Sequence, residues 1–192
     1  MNRIQLINVV SRLRLIILCA VIVIITGLWK NSYCQISSGG TPFSFTTNRV
    51  SNEIPTVIME EIDVKALLEE DKSDNEKGQP YRFGIDLNVD IGLANSGKWE
   101  ILSNGDKLWR LNIQSMGAYS INLIFRKYKL PDGASLFIYS SDHNHVIGAF
   151  TSHNNKLHGK FSTTVVKGSS IVLEYYSGGA YVINKCAINK CE

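Results

Sequence analysis

No acidic residue occurs before Glu53, and the first 34 residues carry only Arg3, Arg12, Arg14 and Lys30 as charges. An acid-free basic flank running into the apolar stretch Leu15–Ile25 is the build of a secretory signal peptide. Ser32-Tyr33-Cys34 sets small residues at the −3 and −1 positions, so cleavage is expected between Cys34 and Gln35. The apolar run is short: Leu15 to Trp29 is 15 residues, roughly 22 Å of helix, where a membrane span needs about 20 residues. An uncleaved anchor over residues 15–29 is the alternative, and a membrane is a partner only in that case. Leu18 before Cys19 and Tyr33 before Cys34 are both too large for a lipidation box. The expected location is therefore secreted, periplasmic or cell-surface.

Excess positive charge is also missing once this leader is set aside. Of 20 basic residues four lie in 1–34, which leaves 16 against 17 acids. The mature chain is close to neutral, and a nucleic-acid partner is not implied. Cysteine is scarce as well. Only Cys186 and Cys191 follow the expected cleavage point, with four residues between them. In an oxidising compartment they are candidates for a small terminal disulfide; two unpaired thiols on an irregular tail are the alternative.

Helical periodicity is nearly absent. One short helix is expected from Asp63 to about Asp71, with Asp63 as its cap and Ala66, Leu67 and Leu68 inside it. Residues 35–80 otherwise read as an extended Ser/Gly/Thr/Asn arm, in which Phe43 and Phe45 are the bulky residues, followed by a charged linker. Residues 81–176 form the expected domain, and 177–192 a tail with the cysteine pair. In that domain Phe83, Ile85, Leu87, Val89, Ile91 and Leu93 occupy every second position, a period that sets all six on one face of a strand. Further strands are expected near Lys98–Leu102, Lys107–Gln114, Ser120–Tyr128, Ser135–Ser140, Val146–Thr151, Lys160–Val165 and Ser169–Tyr176. Gly- and Asn-containing turns separate them. Short strands at this spacing, uninterrupted by helices, point to an all-β protein. The expected form is a two-sheet antiparallel β-sandwich, which admits a jelly-roll-like connection, with one short N-terminal helix.

Catalytic signatures are missing too. There is no Gly-x-Ser-x-Gly elbow and no serine-protease nucleophile or base motif. All four histidines, His143, His145, His153 and His158, fall in one window. His-x-His with a third histidine from the next turn is a weak candidate for Zn²⁺ or Cu²⁺; two polar hairpin loops are the plainer reading. Asp86, Asn88 and Asp90 share a strand face, but a flat strand spreads them roughly 7 Å apart, too far to converge on Ca²⁺. Trp99, Trp109, Tyr119, Tyr139, Tyr175 and Tyr176 could stack sugars, although Trp109 alternates with Leu111 and Ile113 as a core residue does. No cofactor is called for.

Several phrases carry a family resemblance. They include Arg82-Phe83-Gly84, Asn95-Ser96-Gly97-Lys98-Trp99, Asn104-Gly105-Asp106-Lys107-Leu108-Trp109-Arg110-Leu111 and Gly117-Ala118-Tyr119-Ser120. Leu130-Pro131-Asp132-Gly133-Ala134-Ser135-Leu136-Phe137-Ile138-Tyr139, Gly148-Ala149-Phe150-Thr151 and Ile171-Val172-Leu173-Glu174-Tyr175-Tyr176 follow in order. Over about Glu60 to Tyr176 the chain resembles the N-terminal non-catalytic region of secreted trypsin-like serine proteases of the lysyl endopeptidase type, in their Bacteroidetes-like versions. The resemblance implies a pro-region that aids folding or holds the enzyme inactive. The sequence stops at Glu192, where that family's protease domain would begin, so no triad residue carries over. The expectation is a non-enzymatic module, alone or left by truncation, whose partner is a trypsin-like or lysyl serine protease. The alternative is an adhesion module for an extracellular glycan or surface protein.

Overall fold

The computed structural model describes residues 13–14, 16–20, 37–80, 82–178 and 189–191, with side chains throughout except at 189–191. Two compact units are present, Met1–Cys34 and Gln35–Glu192. In the first, residues 13–14 and 16–20 are helical. Among the described residues no helix is long and apolar enough to cross a membrane. The expected cleavage point at Cys34–Gln35 and most of the 15–29 stretch lie outside the described residues.

The second unit is mainly β. Its strands are β1 (Thr56–Ile58), β2 (Lys98–Ile101), β3 (Lys107–Gln114), β4 (Ser120–Ile121), β5 (Ile124–Lys127) and β6 (Ala134–Ser140). They continue with β7 (Val146–Phe150), β8 (Phe161–Ser162), β9 (Val166–Lys167), β10 (Ser170–Ser177) and β11 (Asn189–Cys191). The largest sheet runs β1-β3-β10-β6-β7, with β2 also on β3. A three-stranded sheet β11-β5-β8 and a two-stranded pair β4-β9 complete it. Pairing is antiparallel except between β1 and β3, which run parallel in the register Thr56↔Asn112 to Ile58↔Gln114. The sheet is mixed, which corrects the expectation of purely antiparallel pairing. The parallel strand comes from the arm: the long path through α1 and the chain after it brings β1 in alongside β3.

The central strands are buried on both faces, so they read as nearly continuous apolar runs. Trp109, Leu111, Leu136, Ile138, Ile171 and Leu173 point to one side. There they meet Phe125 of β5 and Phe161 of β8, and the Phe161 ring lies 5.0 Å from that of Phe150. Phe137, Tyr139 and Val172 point to the other side and pack with Ala149, Phe45 and Ile54.

The helix α1 (Val64–Glu76) begins where expected. The Asp63 carboxylate accepts the backbone N–H groups of Lys65 and Ala66, both at 3.1 Å. It runs past Asp71 because the residues up to Glu76 are unbranched or polar helix-compatible ones. It stops at Gly78, whose φ of 73° is open to glycine. No residue of α1 is buried.

Three strand expectations are corrected. Residues 82–91 form no strand: the chain is extended there without a ladder. Alternation reports a side facing the core, and it does not supply a hydrogen-bonding neighbour; the edge of β3 is already taken by β1 and β2. The expected strand Ser120–Tyr128 breaks into β4 and β5 because the chain changes sheets. At the break Leu123 N–H donates to Thr163 Oγ1 (3.0 Å) and Thr163 N–H to Leu123 O (2.9 Å). The same switch splits Lys160–Val165, leaving β8 at 161–162 and β9 at 166–167.

Candidate functional site

The groups with the most chemistry lie under the arm, on the second face of the large sheet. Arg110 of β3 stands directly across from Glu174 of β10, and Lys98 of β2 directly across from Arg110. Alternation forces this placement: Trp109 and Leu111 face the core, so Arg110 between them faces the arm.

The arm is fastened there at three stations. At the β7 edge, Ser38 N–H donates to Ala149 O (3.0 Å), Gly39 N–H to Gly148 O (3.2 Å) and Ala149 N–H to Gly39 O (3.1 Å). In the middle, Ser44 N–H donates to Glu174 Oε1 (3.2 Å) and the Ser44 hydroxyl to Glu174 Oε2. Tyr139 OH donates to the same Oε2 at 3.1 Å. At the β2 edge, Ser51 N–H donates to Glu100 Oε2 (2.8 Å), Lys98 Nζ to Ser51 Oγ (3.2 Å) and Arg110 Nη2 to Ser51 O (2.5 Å). Arg110 Nη2 also pairs with Glu100 Oε1 at 2.5 Å.

Glu174 is fully buried, and such a carboxylate persists only with donors on both oxygens. The Tyr139 hydroxyl titrates well above its ordinary value, pushed up by burial and then by the charge of Glu174. Glu100 sits below its ordinary range. Partial burial pulls it up, but the Ser51 N–H and the Arg110 guanidinium outweigh that. The Ser44 hydroxyl thus touches a carboxylate and a phenol. These bonds fasten the arm to the sheet.

The four candidate histidines are placed apart in role. His143, at a φ of 62°, lays its ring 4.4 Å from that of Phe45 and 5.4 Å from that of Tyr139. His145 Nδ1 accepts the Lys167 N–H at 3.0 Å, and His158 Nδ1 accepts the Lys160 N–H at 3.0 Å. His153 Nδ1 lies 3.2 Å from Thr151 Oγ1, beside the capping box of a short 3₁₀ turn. Among the described residues no three His, Cys, Asp or Glu side chains gather as metal ligands. Asn88 Oδ1 is taken by Arg126 Nη2 at 3.0 Å. The Cys186–Cys191 pairing lies outside the described residues: Cys191 is described only as backbone, paired with Phe125.

The aromatic candidates divide. Trp109, Tyr139 and Tyr175 are buried. Tyr176 is half-buried, stacked on Phe43 and bonded through its hydroxyl to Asp106. Trp99 is 42% exposed and Tyr119 86%. Trp99 sits beside Trp109 near the start of β3 and Tyr119 lies beyond its end, so strand length alone, at about 3.3 Å per residue, keeps them from one platform.

Phe43 and Phe45 stand out in the sequence as the arm's bulky residues. Arg110, facing away from the core side of β3, is placed for a buried salt bridge, which it makes with Glu100. Ser44 and Glu174 were not foreseen as its neighbours in a network. Its signal was available in Glu174 and Arg110, each a charged residue inside an apolar strand run. No family model and no solved structure matches the chain.

Proposed function

We propose that the chain is a secreted, non-catalytic β-sandwich that works by contact with another protein. Its partner is a trypsin-like, lysine-specific serine protease, which it helps to fold or holds inactive in the manner of a pro-region. In the sandwich, which admits a jelly-roll-like order, the large sheet packs through Trp109, Leu136 and Leu173 against β5 and β8. The observation that carries the reading is where the chemistry goes. Ser44, Glu174, Tyr139, Arg110 and Glu100 are spent on fastening the arm, while large apolar side chains such as Ile101, Met116 and Tyr119 stand in solvent. Buried polar groups consumed by the fold, with exposed apolar side chains outside it, suit a binding surface better than a reaction centre.

The resembling phrases support this through their structural duties. In Asn95-Ser96-Gly97-Lys98-Trp99, Gly97 lies against the Trp109 indole, whose Nε1–H donates to Ser96 O at 2.7 Å. In Leu130-Pro131-Asp132-Gly133, a side chain at Gly133 would meet Gly178 O at 2.6 Å. These phrases build a scaffold, and a pro-region acts through its scaffold's surface. Such an interface would bury roughly 1,200–2,000 Å² in total.

The test is to add the purified chain to a lysine-specific serine protease, both active and unfolded. A fall in peptide hydrolysis or a rise in refolding yield is expected. Unchanged hydrolysis together with unchanged yield overturns the proposal. The exposure of Trp99 and Tyr119 favours a second reading, an extracellular glycan- or protein-binding module. Saturable binding on a glycan array that is lost in Trp99→Ala or Tyr119→Ala would support it in place of the first.

A further inference from the structure

Residues 82–91 alternate apolar and polar as a strand does, yet among the described residues no strand pairs with them. Their apolar side chains lose cover progressively toward the N-terminal end. Ile91 is 3% exposed, Val89 and Leu87 are half-buried, Ile85 is 39% exposed and Phe83 is 86% exposed. Arg82 ties the start of the run to α1, 2.9 Å from Glu70 and 3.2 Å from Asp71, and Asn88 ties its middle to Arg126. The run is thus a held, unpaired extended segment with a gradient of apolar exposure along it.

We propose that this run pairs antiparallel with the same run of a second copy of the chain, about a two-fold axis at Leu87. An antiparallel copy reverses the gradient. Exposed Phe83 falls opposite Ile91, where the other copy's core is complete, and Ile85 falls opposite Val89. Each chain thereby covers what the other leaves bare, and both apolar rows stay on one face.

The exposure gradient selects the register, setting the most exposed side chain against the most buried one, and charge permits it. With Leu87 on the axis, Asp86 faces Asn88, Gly84 faces Asp90 and Arg82 faces Gly92, so no two like charges are directly opposite. Sliding the pair by two residues one way sets Asp86 against Asp86 and Arg82 against Asp90, and it moves exposed Phe83 off the buried Ile91 onto Val89. Sliding it two residues the other way sets Asp86 against Asp90, like charges face to face, which is unfavourable. A slide by one residue turns the apolar row of one copy against the polar row of the other. The symmetry is isologous and closes at two copies.

Gly84 provides the test. Its φ is not in the left-handed region and a Cβ there meets nothing within 4 Å, so a side chain fits without strain. Sedimentation equilibrium of the purified chain at low salt is expected to show a weak dimer, with a Kd on the order of 100 µM for so small an interface. Gly84→Lys places a cation opposite Asp90 twice per dimer and is expected to tighten it about two- to thirty-fold. Gly84→Asp is expected to loosen it by a similar factor, and Phe83→Asp to leave only monomer with an unchanged far-UV spectrum and melting temperature. Two results overturn the proposal. One is a chain that stays monomeric at ten times that concentration, including one that pairs instead with a strand of another protein. The other is a dimer indifferent to all three substitutions.

Discussion

Ser44 and Glu174, 130 residues apart in sequence, are joined by two hydrogen bonds, one from the serine N–H and one from its hydroxyl. With Tyr139 OH they give a fully buried carboxylate three donors, and this junction holds the arm on the sheet. Ser44→Ala and Tyr139→Phe each remove a donor to that charge. Each is expected to cost about 1–3 kcal/mol in denaturant unfolding. Because both donors serve one carboxylate, the double substitution should depart from the sum of the singles by about 0.5 kcal/mol or more.

Alkali should release the same junction. The Tyr139 phenol titrates above its ordinary value in the folded protein, because burial and the Glu174 charge oppose ionisation. The unfolded chain gives up that proton from about pH 10 upward while the folded chain keeps it, so stability falls as pH rises past that point. Unfolding midpoints measured against pH should decline there, and Tyr139→Phe should make the decline shallower.

Acid acts on the outer station. Glu100 is held below its ordinary value, so its contribution is present above that value and is lost as pH falls through the lower, folded one. Glu100→Gln should lower stability at neutral pH and flatten the acid limb of the same profile.

Gly97 and Trp109 touch across the turn before β2. A Cβ at Gly97 would lie 2.5 Å from Trp109 Cε2, and the glycine φ is 74°. Gly97→Ala should therefore cost about 1–3 kcal/mol, through overpacking and a left-handed backbone that an alanine resists. A lower denaturation midpoint with a red-shifted tryptophan emission checks it.

Much of the fold was legible in the sequence, and the illegible part has a physical cause. Lys107–Gln114 was expected as a strand and is one at both ends, because its apolar residues and flanking turns agree. Phe83–Leu93 showed a cleaner alternation and is not a strand over 82–91, since a side-chain period supplies an apolar face while a ladder needs a vacant neighbouring edge. β1 lies within the extended arm, and its parallel partner 56 residues away leaves no local mark. The arm network was hidden for the same reason: Ser44 looks like any loop serine until the fold sets it on Glu174. The histidines, close in sequence and read first as residues of polar loops, each have a separate neighbour among the described residues.

Titration calorimetry of the purified chain against an active lysine-specific, trypsin-like serine protease tests the central claim most directly. The account predicts saturable one-to-one binding that no unrelated serine hydrolase reproduces. Absence of any binding heat across a range of temperatures, with the protease fully active throughout, would contradict it.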